Sequence, residues 1–179
     1  MENPAIASVL ASDNLALIKQ TIDLVQGLGD EAYCGPGTAF HPSGIGCHVR
    51  HIHDHYRLFL DGFAARRVDY ERRARDTRIE QDRGYAMAML AGLGDALGAI
   101  PEGLADSAIE IQSACGLADD QRWCRSTVRR ELEYLVMHDV HHHALIAFIL
   151  HSRNMSTPEG FGLAPSTRRY LQGQQTCAR

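Results

Sequence analysis

Ten histidines fall in a chain of 179 residues, and four of them sit inside one otherwise apolar run, Glu131 to Leu150 (ELEYLVMHDVHHHALIAFIL). His138 and His142 are four apart. On an α-helix that spacing stacks both rings on one face, about one turn apart, so two imidazoles can close on one metal ion. Val136, Leu145, Ile146, Ile149 and Leu150 surround them, which makes part of this helix core. An unpaired imidazole costs free energy inside a core, whereas binding a divalent cation satisfies its ring nitrogens. A second cluster lies upstream, in CHVRHIHDHYRLFLDGF from Cys47. At about 100° per residue His48, His51 and His55 share a face with Leu58, Phe59 and Gly62, while His53 points nearly opposite.

Three neutral imidazoles plus water form an open zinc arrangement, and imidazole also suits nickel, iron(II) and copper. The candidate ligands are His51 from the upstream helix with His138 and His142 from the downstream one. Open positions on such an ion make it catalytic rather than structural. His48 and His55 flank His51 and are the candidates for moving protons or for adding a fourth ligand. The plain alternative is a set of exposed or neighbour-bonded histidines, and two clusters that each face inward argue against it. Two other metal patterns fail on physical grounds. HIHDH (51–55) is one residue short of the HxHxDH loop motif of metallo-β-lactamase-type hydrolases and lies within a helical pattern. A carboxylate-bridged di-iron site needs Glu-x-x-His pairs on its helices, and neither cluster supplies one.

Four helices must position these residues. Ile6, Val9, Leu10, Leu17, Ile18, Ile22, Val25 and Leu28 recur at three-and-four spacing and predict a first helix from Pro4 to Leu28, stopped by Gly27 and Gly29. The Gly- and Pro-dense stretch 35–46 is a loop leading into the second helix, roughly Ser43 to Ala65. Arg66 to Arg83 is charged with mixed sign and reads as a link that continues into the exposed first turns of a third helix, whose packed part is Tyr85 to Leu97. Periodicity then breaks. Ala108 to Gln112 and Arg122 to Arg125 read as two short strands flanking the turn-prone GLADDQ (116–121). Ser126 or Thr127 caps the fourth helix, and a short helix is expected at Ser166 to Gln172.

The length fits a single domain, 1–179, with its helical core at about 5–152 and an extension from 153. A formal net charge of -4 gives no electrostatic argument for nucleic acid or an anionic membrane surface. No apolar run approaches the ~20 residues of a membrane span, and the first 27 residues lack a signal-type segment, so a cytoplasmic protein is expected. Five cysteines without CxxC spacing argue against a disulfide framework or a thiolate zinc site. Arg50, Arg72, Arg73 and Arg75 are read either as a clamp for an anionic substrate or as a solvated face paired with Asp69, Glu71 and Asp76. Asp54 and Asp139 lie off the ligand faces and are weak candidates for orienting the rings.

SGIGCHVRHIHDHY (43–56), followed some ninety residues later by RELEYLVMHDVHHHALI (130–146), resembles the DinB/YfiT superfamily of metal-binding four-helix bundles. The resemblance spans roughly Ala5 to Leu150. It implies an all-α, up-down-down-up bundle, here with a hairpin-like insertion before the last helix. By position, His51 matches the family's second-helix ligand and His138 and His142 its HxxxH pair. His48 is the other residue in reach of the second-helix position. The usual Arg-Gly-Gln after the last histidine is replaced by His143-Ala144-Leu145. The resemblance also implies zinc or nickel, then iron or manganese, a low-molecular-weight thiol as a cofactor, a small-molecule substrate and a homodimer. The expected function is a metal-dependent enzyme, of thiol-dependent transferase or hydrolase type. The competing expectation is a non-catalytic dimeric bundle stabilised by its metal, or a stress-related binding protein.

Overall fold

A computed structural model describes residues 4–39, 42–101, 103–112 and 122–177. The elements in chain order are α1 (Pro4–Gly27), α2 (Asp30–Cys34), α3 (Ile45–Phe63), β1 (Arg67–Val68), α4 (Thr77–Gln81), α5 (Arg83–Gly98), β2 (Ala108–Gln112), β3 (Trp123–Thr127), α6 (Val128–Ser152) and α7 (Pro165–Cys177). The chain is mostly helical, with one small sheet. α1 packs on α5 and α6, and α3 packs on the same two helices. Val25, Ile52, Phe59, Leu90, Leu135 and Ile146, drawn from all four, share one hydrophobic core.

The four long helices lie where the apolar periodicity predicts them, with ends shifted by a few residues. The start of α5 moves back to Arg83 because the Asp82 carboxylate accepts from the Tyr85 amide at 2.9 Å. Thr127 caps α6 by accepting from the Arg130 amide at 3.2 Å. α7 is longer than the stretch expected, 166–172. No described helix is long and apolar enough to cross a membrane.

The charged stretch after α3 differs from its sequence reading. Rather than a link and exposed helical turns, it folds into β1 and α4, and its two branched apolar residues, Val68 and Ile79, are fully buried. Those two side chains anchor the segment against α3. A Cβ at Gly46 would run into the Glu80 carbonyl, and one at Gly62 into the Arg67 carbonyl, so both glycines permit this close approach. α2, which the periodicity did not reveal, adds buried Tyr33, whose hydroxyl donates to the Ile79 carbonyl at 2.6 Å. With α4, α5 and α6 all packed on it, α3 is buried on more than its histidine face, and His53, opposite that face, is buried too.

β2 matches the expected strand, and β3 pairs with it antiparallel from Ala108↔Thr127 to Gln112↔Trp123. β1 joins the other side in parallel, Arg67 opposite Glu110. The GLADDQ turn lies outside the described residues. Distal to α6, Phe161 is buried and stacks on His143 with ring centroids 4.4 Å apart.

Candidate metal centre

α3 and α6 face each other with their histidines between them. His48, His51 and His55 recur at three and four residues along α3, and His138 and His142 are four apart on α6, so both helices turn a ladder of rings to the same seam. Ring centroids are 3.8 Å apart for His55 and His138, 5.0 Å for His51 and His138, and 4.4 Å for His51 and His55. In this triad each residue offers one nitrogen, and the three nitrogens lie within 4.8 Å of one another. His142 adjoins them, its ring 4.6 Å from His51 and 4.5 Å from His138. Its Nδ1 is 3.0 Å from Nδ1 of His48. One of those two nitrogens must carry the proton and the other accept it.

The hydrogen bonds fix which nitrogens remain. A carbonyl only accepts, so His55 Nδ1 donates to the His51 carbonyl at 3.0 Å and its lone pair is on Nε2. Arg73 Nη1 lies 3.0 Å from His51 Nδ1. Both ring nitrogens of His138 are buried and make no hydrogen bond among the described residues. That is the costly state of a polar group in a core, and a cation relieves it at one of the two nitrogens by taking the lone pair.

Burial is the leading cause of the electrostatics here. It pushes His51 down to about 3, with His55 and His138 next in effect, and pushes His142 down to about 2, with His138 and His51 adding. His55 and His138 both fall to about 4, burial again leading. Below-normal values keep the rings neutral at pH 7, the form in which imidazole ligates. An all-nitrogen set suits zinc, nickel or copper better than magnesium or calcium.

Of the residues singled out by spacing, His51 and His138 therefore come together, and His55, expected to move protons or to add a fourth ligand, joins them as the third. His142 touches the same rings but is bonded to His48. His143 belongs elsewhere: its Nε2 lies 2.7 Å from the Thr21 hydroxyl, against α1. Asp54 pairs with Arg50 at 3.4 Å. Asp139 is fully buried, with Oδ1 3.8 Å from His138 Nδ1, too long for a hydrogen bond, and Oδ2 2.9 Å from the Tyr56 hydroxyl.

Two residues near the centre have no place in the histidine spacing. Tyr70 stacks on His55 at 5.5 Å, and Tyr134 lies 5.8 Å from His138. Tyr70 donates to the buried Glu131 carboxylate at 3.0 Å, and Ser126 donates to the other oxygen at 2.6 Å. With His55 they border a cavity of about 420 Å³ between the sheet and α6.

Fold and site together define a mostly helical protein with a histidine cluster between two of its long helices. No family profile matches the chain and no solved structure matches it. Over 108 residues it is 28% identical to FK506-binding protein 5 of Rhizopus delemar, a stretch that covers 60% of this chain and 28% of that protein.

Proposed function

We propose that the protein is a metal-dependent enzyme built on a four-helix bundle of the DinB type, with three imidazoles holding one divalent cation. The observation that supports it most is His138, whose two buried nitrogens have no hydrogen-bond partner among the described residues while His51 and His55 bring theirs within 4.8 Å. Zinc or nickel fits this donor set first, then iron or manganese. A cation bound there lowers the pKa of a water or thiol that shares it, giving a nucleophile near neutral pH. His51 and His138 are the constant pair of ligands. As the side chains stand the third is His55, and helical spacing gives His142 as its rival.

The protein's own groups supply the rest. His48 and His142 share one proton across 3.0 Å and form a relay at the edge of the cluster. Tyr70 and Tyr134 wall the cavity through which a small substrate reaches His55. The reaction class is transfer to a low-molecular-weight thiol or hydrolysis. The same reading makes the protein a cytoplasmic homodimer without nucleic acid or membrane partners. The ligand in the name of the fungal relative is not carried over, because the matched stretch is 28% of that protein.

A second reading is a closed, structural site in a non-catalytic dimeric bundle. The nearness of His142, with rings at 4.6 and 4.5 Å, supports it, since a fourth imidazole would close the coordination. Elemental analysis of protein purified without chelators or a nickel column tests both. About one divalent ion per chain is expected, and none in His138→Ala. Wild type devoid of metal after incubation with zinc and nickel would end both readings. X-ray absorption then separates three imidazoles plus exchangeable water from four imidazoles.

A further inference from the structure

Four arginines around α3 and the segment after β1 offered two readings, an anion clamp or a solvated face, and the structure divides them. Arg72 and Arg75 are exposed. Arg50 is held by Asp54 and Glu80. Arg73 alone of the four is turned to the histidines, with its side chain 20% exposed. Its Nη1 spends a hydrogen bond on a neutral ring, His51, and its Nη2 is 3.8 Å from the exposed Glu71 carboxylate. Its Nε is buried with no partner among the described residues. A guanidinium has five N–H donors in a fixed fork that matches a carboxylate, and this half-buried cation meets only a neutral ring and, at 3.8 Å, one carboxylate, with Nε unmet among the described residues. An anion aligned with the fork would pair that charge better.

Arg73 stands behind the wall of the cavity of about 420 Å³, in contact with its lining residue Glu71 at 3.8 Å, and that volume is within the size range of small-molecule sites. His55, whose ring is 4.4 Å from that of His51, forms its inner wall, and Glu71 also lines it. Tyr70 and Tyr134, with centroids 5.2 Å apart, and Ile111 supply flat and apolar surface. Arg125 and Arg130 stand on the rim. The one buried carboxylate of the wall, Glu131, already accepts from Tyr70 and Ser126 and leaves the arginines without it.

We propose that this cavity is the substrate pocket, that it takes a small organic carboxylate with a flat apolar body, and that Arg73 holds the carboxylate beside the histidines. The assignment rests on the metal-centre reading for its place in a reaction, but the anion site itself needs no cation.

The probe is benzoate, titrated calorimetrically into chelator-treated protein and into zinc-loaded protein, with zinc counted by elemental analysis in parallel. Saturable binding of one benzoate per chain is expected, with Kd of about 1 mM or tighter. Arg73→Gln should weaken it by about tenfold or more, and Arg73→Lys by less, because a lysine keeps the charge without the fork. Arg57→Gln, the same charge change at an exposed position, should leave it unaltered. Ile111→Trp, which fills the cavity while keeping Arg73, should abolish binding, and circular dichroism melts show which variants remain folded. Wild-type protein that takes up no benzoate, or equal binding in folded Arg73→Gln, overturns the proposal. Zinc bound while benzoate ignores Arg73 would remove the pocket and leave the metal centre. Benzoate bound through Arg73 in protein that holds no zinc would do the reverse.

Discussion

Arg73 Nη1 lies 3.0 Å from Nδ1 of His51, and since a guanidinium only donates, that ring nitrogen accepts. A neutral ring accepting at Nδ1 carries its proton on Nε2. Metal ligation at Nδ1 would take the lone pair that Arg73 uses, and ligation at Nε2 would need the proton moved to Nδ1, where it would face another donor. Either way, the bond from Arg73 and a cation on His51 exclude each other.

Arg73 should therefore compete with the metal, first through this bond and second through its charge. In buffer free of carboxylates, Arg73→Gln should bind zinc more tightly than wild type, by about tenfold for the loss of one charge-assisted bond at a partly screened site. Competition against a chromophoric chelator measures this. Affinity that is unchanged or weaker would mean that His51 is not a ligand or that Arg73 stays clear of the ion.

Metal-free protein should be sensitive to mild acid. His51, His55, His138 and His142, and also His143 at about 4, are all pushed below the ordinary histidine value of about 6.5, with burial the first cause in each. The sign follows from proton counting. Between about 6.5 and about 4 the unfolded chain holds protons on these residues that the folded chain refuses, so stability falls as pH falls through that window. Above pH 7 neither state is protonated on these rings, and their share of the dependence vanishes. Urea midpoints of chelator-treated protein should drop steeply as pH falls between 6.5 and 4.5, where the five rings together outweigh the opposite slope of a single raised carboxyl. A midpoint that stays level down to pH 5 would show that the rings are far better hydrated than their burial implies.

Asp139 titrates the other way. The Tyr56 hydroxyl lies 2.8 Å from Asn14 Oδ1 and 2.9 Å from Asp139 Oδ2, and it has one proton to give. Asn14 Nδ2 donates to the carbonyls of Leu10 and Leu132, so its Oδ1 is the acceptor that needs Tyr56. Asp139 must then be the donor to Tyr56, a protonated acid, in keeping with burial that raises it well above the carboxylate range. A raised group stabilises the fold fully below its unfolded value near 3.9 and loses that contribution as pH rises toward the folded value. Asp139→Asn keeps a donor and removes the titration, so it should match or exceed wild type in urea at pH 8. Asp139→Ala leaves Tyr56 unpaired and should cost about 1–3 kcal/mol. If Asn proves as damaging as Ala, the carboxyl is ionised and the chain of donors runs differently.

How much of this was legible depends on whether a residue's neighbours in sequence are also its neighbours in space. The histidine ladders were visible because 3.6-residue periodicity puts three and four spacings on one face without help from elsewhere. β2 and the cap at Thr127 are similarly local. Tyr70 was not, and Arg73 could not be told from Arg50, Arg72 and Arg75, since both sit in a run whose composition is that of a solvated face. They turn inward because β1 pairs with β2, more than forty positions along the chain from Arg67 to Glu110, and because Ile79 of α4 is buried where that helix packs on α3. The burial of His53 is likewise non-local, since elements distant in sequence pack on α3 from more than one side. Choosing between His55 and His142 as third ligand is harder still, because both are one turn from a constant ligand on their own helix and only rotamers separate them.

That choice has a direct test. His55 Nδ1 is fixed by the His51 carbonyl at 3.0 Å and its Nε2 has a lone pair to give, whereas His142 Nδ1 is engaged with His48 at 3.0 Å. If these bonds persist with the metal bound, His55→Ala should lower zinc affinity by about a hundredfold or more while His142→Ala keeps one zinc per chain and disturbs mainly the relay to His48. Cobalt(II) in place of zinc gives a visible spectrum sensitive to ligand number, and only the variant lacking a true ligand should alter it. The opposite pattern would assign His142 as ligand, through the Nε2 that its bond to His48 leaves. Losses of similar size in both variants would mean four imidazoles on the ion. That outcome favours a closed structural site over an open catalytic one, because a fourth protein ligand occupies the position a reacting water or thiol would need.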